Sequence, residues 1–142
     1  MAISSFTMEY SFLSNFYPCL IEFEGDIYPT VEHAYQAAKT NDPDERRKIR
    51  EEERTGKAKQ KGQQVTMRKD WEQIKVEVMR ELLKKKFEKP HLRKLLLDTY
   101  PEELIEGNNW KDTFWGVYKG SGKNMLGVLL MQIRSELRGE GW

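Results

Sequence analysis

The chain has 142 residues, 38% hydrophobic and 33% charged, with a formal net charge of +1. That length builds one domain with a real core and leaves little room for a second, and so small a charge excludes bulk steering onto nucleic acid or membrane, so any nucleic-acid contact has to be local. A lone cysteine, Cys19, excludes an internal disulfide, His33 and His91 alone make zinc a poor fit, and no apolar run approaches the ~18 residues that span a bilayer. The expectation is a single soluble, cytoplasmic domain over residues 1–142.

Residues 1–18 carry five aromatics: Phe6, Tyr10, Phe12, Phe16 and Tyr17. Among them Ser14 and Asn15 either turn the chain by bonding local backbone or present a hydroxyl and an amide to a ligand. Residues 19–23 and 27–28 flank Glu24-Gly25-Asp26 and read as a short β-hairpin. Pro29 stiffens the entry to a helix that Thr30 caps. In that helix Val31, Ala34, Tyr35 and Ala38 form an apolar face. Glu32, Gln36 and Lys39 form a polar stripe beside it, and His33, Ala37 and Thr40 take the outer side. Glu32 and Lys39 stand about two turns, ~10 Å, apart, which suits two parts of one ligand better than a mutual ion pair. Taken alone, the stripe also fits a solvated helix face.

Residues 42–54 alternate in charge and read as a solvated helix opened by Pro43. Residues 56–62 are basic with a glycine at each end, but Glu51 stands where a phosphate loop needs Gly. A long helix follows over residues 69–87, with Trp71, Ile74, Val78, Met79, Leu82 and Leu83 inward. Lys86 lies on the same arc and is a further pocket candidate. A short helix over 91–98 and an extended piece over 102–106 come next. Residues 107–122 set Trp110, Phe114, Trp115 and Tyr118 among glycines, asparagines and Asp112. So long a loop suits stacking on a flat ring, or tucks its aromatics into the core. Gly122-Lys123 is no ATP-binding loop, because position 117 is Val and Asn124 replaces the Mg²⁺-binding hydroxyl. The glycines before the last helix, 123–137, still offer N–H groups to a phosphate.

In this order, Phe12-Leu13-Ser14-Asn15-Phe16, the run from Pro29 to Lys39, Lys86-Phe87, Glu106, Asp112-Thr113-Phe114-Trp115-Gly116 and Gly122-Lys123-Asn124-Met125-Leu126-Gly127 resemble the NADAR (YbiA-like) family. The resemblance covers residues 6 to 137. Gln63 departs from it, where the family often carries Arg at a phosphate contact. The resemblance implies a helix-rich α+β domain with a small N-terminal β-hairpin. It also implies hydrolysis of N-glycosidic bonds, on ADP-ribose attached to guanine in DNA or RNA or on ribosylamino-pyrimidine intermediates of riboflavin synthesis. Carried over, the catalytic candidates are Glu32, Lys39, Glu106 and Asp112. The substrate-binding candidates are Ser14, Asn15, Gln36, Lys86, Trp115, Gly116 and Asn124. No metal or cofactor is implied. A partner ADP-ribosyltransferase of the toxin–antitoxin kind is.

Cleaving a ribosyl C–N bond requires stabilising positive charge at the anomeric carbon and protonating the departing nitrogen. A carboxylate does the first and an acid of raised pKa the second. A neutral Lys39 offers another route, attacking the carbon to form an imine. Alternatives from other classes are a module that binds ADP-ribose or NAD without turnover, and an interaction protein that uses the charged 42–63 region.

Overall fold

The computed structural model describes residues 1–139. In chain order the elements are β1 (Ala2–Ile3), a 3₁₀ helix (Met8–Leu13), β2 (Ile21–Phe23), β3 (Asp26–Tyr28), α1 (Val31–Ala38), α2 (Pro43–Arg50), α3 (Thr55–Gly62), α4 (Trp71–Phe87), α5 (Pro90–Leu97), β4 (Glu103–Leu104), β5 (Gly107–Asn108), β6 (Val117–Tyr118) and α6 (Met125–Leu137). Helix dominates and the strands occur only as short pairs, so the fold is helix-rich α+β. Two compact units emerge, Asn15–Lys86 on the one hand and Met1–Ser14 with the chain from Phe87 onward on the other. No described helix is long and apolar enough to cross a membrane.

In the Asn15–Lys86 unit, β2 and β3 form the expected antiparallel hairpin, with Ile21 opposite Tyr28 and Phe23 opposite Asp26. Its two-residue loop has positive φ at both Glu24 and Gly25, the type I′ geometry whose twist matches the strands. Ile21, Phe23 and Tyr28 are buried. Thr30 caps α1 as expected, its Oγ1 accepting the His33 N–H at 3.0 Å. The outer side expected for His33, Ala37 and Thr40 does not exist, since every residue of α1 is buried and Thr40 beyond it too. Both α2 and α3 lie against α1 and cover it. Its polar groups are paired instead of solvated: His33 Nε2–H donates to the Glu52 carbonyl at 2.7 Å, and Thr40 Oγ1 donates to Glu45 at 2.6 Å.

The single charged helix expected over 42–54 is shorter, ending at Arg50. Asp42 caps it and Pro43 opens it, as the sequence indicates, while Ile49, its one aliphatic residue, is buried. A second helix, α3, follows where only a failed phosphate loop was legible. Ala58 and Gly62, four residues apart, form its buried seam. Two residues so small carry almost no hydrophobic signal.

In the other unit β1 pairs with β4 and β5 with β6, both in parallel. The last pair lies inside the stretch expected as an unbroken loop. Leu92, Leu96, Leu104, Leu126, Leu129, Leu130 and Ile133 are buried here. Arg134, also buried, donates to Thr99 Oγ1 at 2.9 Å. Trp110 is 53% exposed, so the aromatics of 107–122 do not all tuck into a core.

Candidate active site

The residues singled out for chemistry fall into two groups, one in each unit. In the Asn15–Lys86 unit, Glu32, Gln36 and Lys39 keep the spacing that puts them on one stripe of α1. Glu32 and Gln36 are buried at 7% and 3% exposure, which removes the solvated-face alternative. The Gln36 carboxamide donates to Glu32 Oε2 at 2.6 Å, so the carboxylate is held in orientation by its neighbour one turn on. Glu32 also stands in the first turn of α1, where the helix dipole favours a negative charge. The Glu32 N–H donates to the Asn15 carbonyl at 3.1 Å, which ties Asn15 to the start of α1. The Asn15 side chain is buried and donates to Met79 Sδ at 3.6 Å, leaving its Oδ1 without a hydrogen-bond partner.

The stripe depends on Gly62, because a Cβ there would overlap the Gln36 carboxamide oxygen and crowd its Cβ. Gly62→Ala therefore has to push Gln36 off Glu32. The expected outcome is a loss of about 1–3 kcal/mol in urea-unfolding stability, the usual cost of overpacking, together with a fall in activity that exceeds what the lost folded fraction accounts for.

Two lysines in this unit have depressed pKa values. Burial holds Lys39 below the ordinary lysine range; Glu32 opposes that shift, Lys59 and Lys75 deepen it, and Glu72 opposes it. Its ammonium lies 5.8 Å from the centre of the Tyr35 ring, which itself packs on Trp71. Lys86 is fully buried, and burial lowers its amine to about 7. It lies 5.6 Å from the Tyr17 ring centre. Lys59, Lys75 and Gly62 are absent from the residues singled out in the sequence. Their only signal there is basic charge and one glycine, neither of which names a site.

In the other unit, Ser14 closes the 3₁₀ helix, and its N–H donates to the Ser11 carbonyl at 2.9 Å. Residues 106–124 form a tightly bonded loop. Asp112 Oδ1 accepts the N–H groups of Phe114 and Trp115 at 3.0 and 2.9 Å, so this oxygen shapes the turn that presents Trp115. Asn108, not singled out beforehand, does the same one step earlier, accepting the N–H groups of Trp110 and Asp112 and donating to the Asp112 carbonyl. Trp115 is half-buried and meets Phe114 edge to face at 4.9 Å. Gly116 lies where a Cβ would overlap the Glu106 carbonyl, so the close approach of these two backbones requires glycine.

Glu106 is fixed through its backbone from both sides. Its N–H donates to Asn124 Oδ1 at 2.9 Å and its carbonyl accepts from the Val117 N–H at 2.8 Å. The Asn124 carboxamide also donates to the Leu104 carbonyl at 2.9 Å, so both its ends serve residues 104–106. The N–H groups at the start of α6 are already bonded within the protein. The N–H groups of Lys123, Asn124, Met125 and Leu126 donate to the carbonyls of Thr113, Gly116, Phe114 and Trp115. The loop satisfies these four donors; the glycine N–H groups expected to meet a phosphate are not among them. Among the described residues no three His, Cys, Asp or Glu side chains are grouped to hold a metal ion.

The model of the NADAR domain matches residues 4–138. The chain belongs to the NADAR family. This NADAR domain is 41% identical over 133 residues to the N-glycosidase YbiA of Escherichia coli, an alignment covering 91% of this chain and 82% of that one. A solved NMR structure of the E. coli YbiA protein superposes with a TM-score of 0.85 at 39% identity, covering 97% of this chain and 84% of the other. A riboflavin biosynthesis protein of Vibrio vulnificus is likewise 41% identical over 133 residues, but the NADAR domain spans only 36% of its length.

Proposed function

We propose that this NADAR domain is an N-glycosidase that hydrolyses a ribosyl C–N bond, with ADP-ribose attached to guanine as the substrate. The observation that carries the reading is the buried Glu32 carboxylate, oriented by Gln36 and followed two turns on by a lysine of lowered pKa. A buried, oriented carboxylate stabilises the positive charge that develops on the anomeric carbon as the bond to nitrogen breaks. The Lys39 amine, neutral once its proton is lost, attacks that carbon. The electron pair of the C–N bond leaves with guanine, which takes up a proton, and the sugar ring opens to an imine on Lys39. Water then adds to the imine, returning the amine and releasing the free sugar. Gln36 holds Glu32. Asp112, Gly116 and Asn124 act through the loop backbone. Glu106 is fixed by this loop through both its backbone groups.

On this reading the enzyme works in the cytoplasm and reverses the product of a partner ADP-ribosyltransferase. A second reading, cleavage of ribosylamino-pyrimidine intermediates, is supported by the riboflavin biosynthesis proteins that contain similar stretches, including one from maize at 42% identity over 145 residues. Incubation with an ADP-ribosylated guanine oligonucleotide and, separately, with the pyrimidine intermediates distinguishes them, with products weighed by mass spectrometry. Release of ADP-ribose from the oligonucleotide is the expected result. Turnover of the pyrimidine alone selects the second reading, and tight ADP-ribose binding with no product from either makes the domain a binding module.

A further inference from the structure

His33 follows Glu32 directly in sequence, is fully buried, and has no part in the chemistry above. Its ring sits between two oxygens. Nδ1 lies 2.8 Å from Thr30 Oγ1, and Nε2 lies 2.7 Å from the Glu52 carbonyl. A carbonyl only accepts, so Nε2 carries a proton. Thr30 Oγ1 already accepts the His33 backbone N–H at 3.0 Å. Its own hydroxyl hydrogen is then left to donate to Nδ1, and the neutral Nε2–H ring satisfies every group from Thr30 to Glu52. Cap and ring fix one another, and Glu32 stands in the first turn that they close.

The other end of this row of bonds reaches α3. Glu52 stands in the connection between α2 and α3. Its carboxylate accepts the Arg54 N–H at 3.0 Å and pairs with Lys61 Nζ at 2.9 Å. Arg54 occupies the N-cap position of α3 and its side chain makes no capping bond, so Glu52 secures that end of the helix instead. The helix needs the support. It has eight residues, two of them glycine, and buries only Ala58 and Gly62. Burying two such small residues removes little apolar surface from water. The polar tether through Glu52 adds what the seam lacks.

Once seated, α3 confines Gln36. Gly62 leaves no room for a Cβ beside the Gln36 carboxamide oxygen, and the nitrogen of the same carboxamide donates to Glu32 at 2.6 Å. The carboxamide is thus fixed between α3 on one side and the Glu32 carboxylate on the other. An outward shift of α3 gives that group room to turn, and Glu32 then loses this bond. Misplacing a reacting group by about 1 Å costs on the order of 10²-fold in rate.

We propose that His33 is a positioning residue for bond cleavage: through Thr30 it closes the turn that carries Glu32, and through Glu52 it seats α3 so that Gln36 stays on that carboxylate. It acts through Glu32 and Gln36 and not on the substrate. The role in cleavage rests on the N-glycosidase reading above, whereas the ring tautomer and the seating of α3 stand without it.

NMR of the imidazole nitrogens in the wild-type protein is expected to find the His33 proton on Nε2, and a proton on Nδ1 alone overturns the proposal whatever the variants do. His33→Leu removes both ring bonds. It is expected to speed amide hydrogen exchange across α3 and to lower the single-turnover rate on an ADP-ribosylated guanine oligonucleotide about ten- to a hundredfold. Calorimetric affinity for ADP-ribose should stay within about twofold, since the loss falls on the transition state. His33→Gln, whose carboxamide nitrogen takes the place of Nε2, is expected to recover most of the rate. In a Glu32→Gln background His33→Leu should lower the rate no further, because the group it acts through is already gone. A role confined to stability gives an equal loss in both backgrounds, and that result overturns the proposal. So does an unchanged rate in His33→Leu, or unchanged exchange in α3. Failure of the N-glycosidase reading is seen separately, as absence of product from every substrate with wild type; tautomer and exchange are read without substrate and still decide the seating of α3.

Discussion

Glu32→Gln is expected to leave the fold and ADP-ribose binding intact and to lower turnover by about 10²–10⁴-fold. The substitution is nearly isosteric, and its amide still offers an oxygen to the Gln36 carboxamide that donates to Glu32 at 2.6 Å. What disappears is the negative charge. In the ground state the ribose carbon is neutral and gains little from it. In the transition state that carbon is cationic, so the loss falls on kcat while KM barely moves. Single-turnover rates beside calorimetric affinities measure the two separately. A loss of affinity equal to the loss of rate would make Glu32 an ordinary binding group. Near-normal turnover would remove it from the chemistry.

Borohydride added during turnover is expected to trap a covalent sugar adduct on Lys39, located by mass spectrometry, and Lys39→Ala is expected to abolish both adduct and activity. Only the neutral amine attacks, so the rate should rise with pH up to the depressed pKa of Lys39 and level off above it. Lys59 contributes to that depression. Lys59→Gln should therefore move the rise toward higher pH, which a purely structural role for Lys59 does not do. An adduct on Lys86 instead would reassign the nucleophile, and its pKa of about 7 makes it the natural competitor. The stability signature of Lys86 can be read independently. Its folded pKa lies below the unfolded one, so between about pH 7 and the ordinary lysine value the unfolded chain binds the extra proton, and stability rises with pH. Lys86→Met should exceed wild type in urea midpoint near pH 7, and the difference should shrink as pH approaches 10. A constant difference would mean that burial does not depress this amine.

The sequence by itself determined the local elements and the family. Alternation and a turn at Glu24-Gly25 specified the hairpin, Thr30 the start of α1, Pro43 the start of α2, and a 3.6-residue period the long helix. Each of these is a short-range signal between residues a few positions apart. The residues that gave the NADAR resemblance are likewise consecutive runs, legible without coordinates. The stripe of Glu32, Gln36 and Lys39 was legible as a stripe, because seven-residue spacing fixes a helix face.

Only the tertiary structure decided what surrounds that face. The stripe lies against α3, where Gly62 packs on Gln36, and the seam of Ala58 and Gly62 has no hydrophobic weight and left that helix unread. The apparent outer side of α1 is inner because α2 and α3, which follow it in the chain, both lie against it. The backbone donors of Lys123 to Leu126 are decided in the same way. They are spent on carbonyls about ten residues back in sequence, a pairing set by loop shape that no spacing rule reveals. Burial, pKa and the occupancy of backbone donors are properties of neighbours in space, and the chain specifies those only once it is folded.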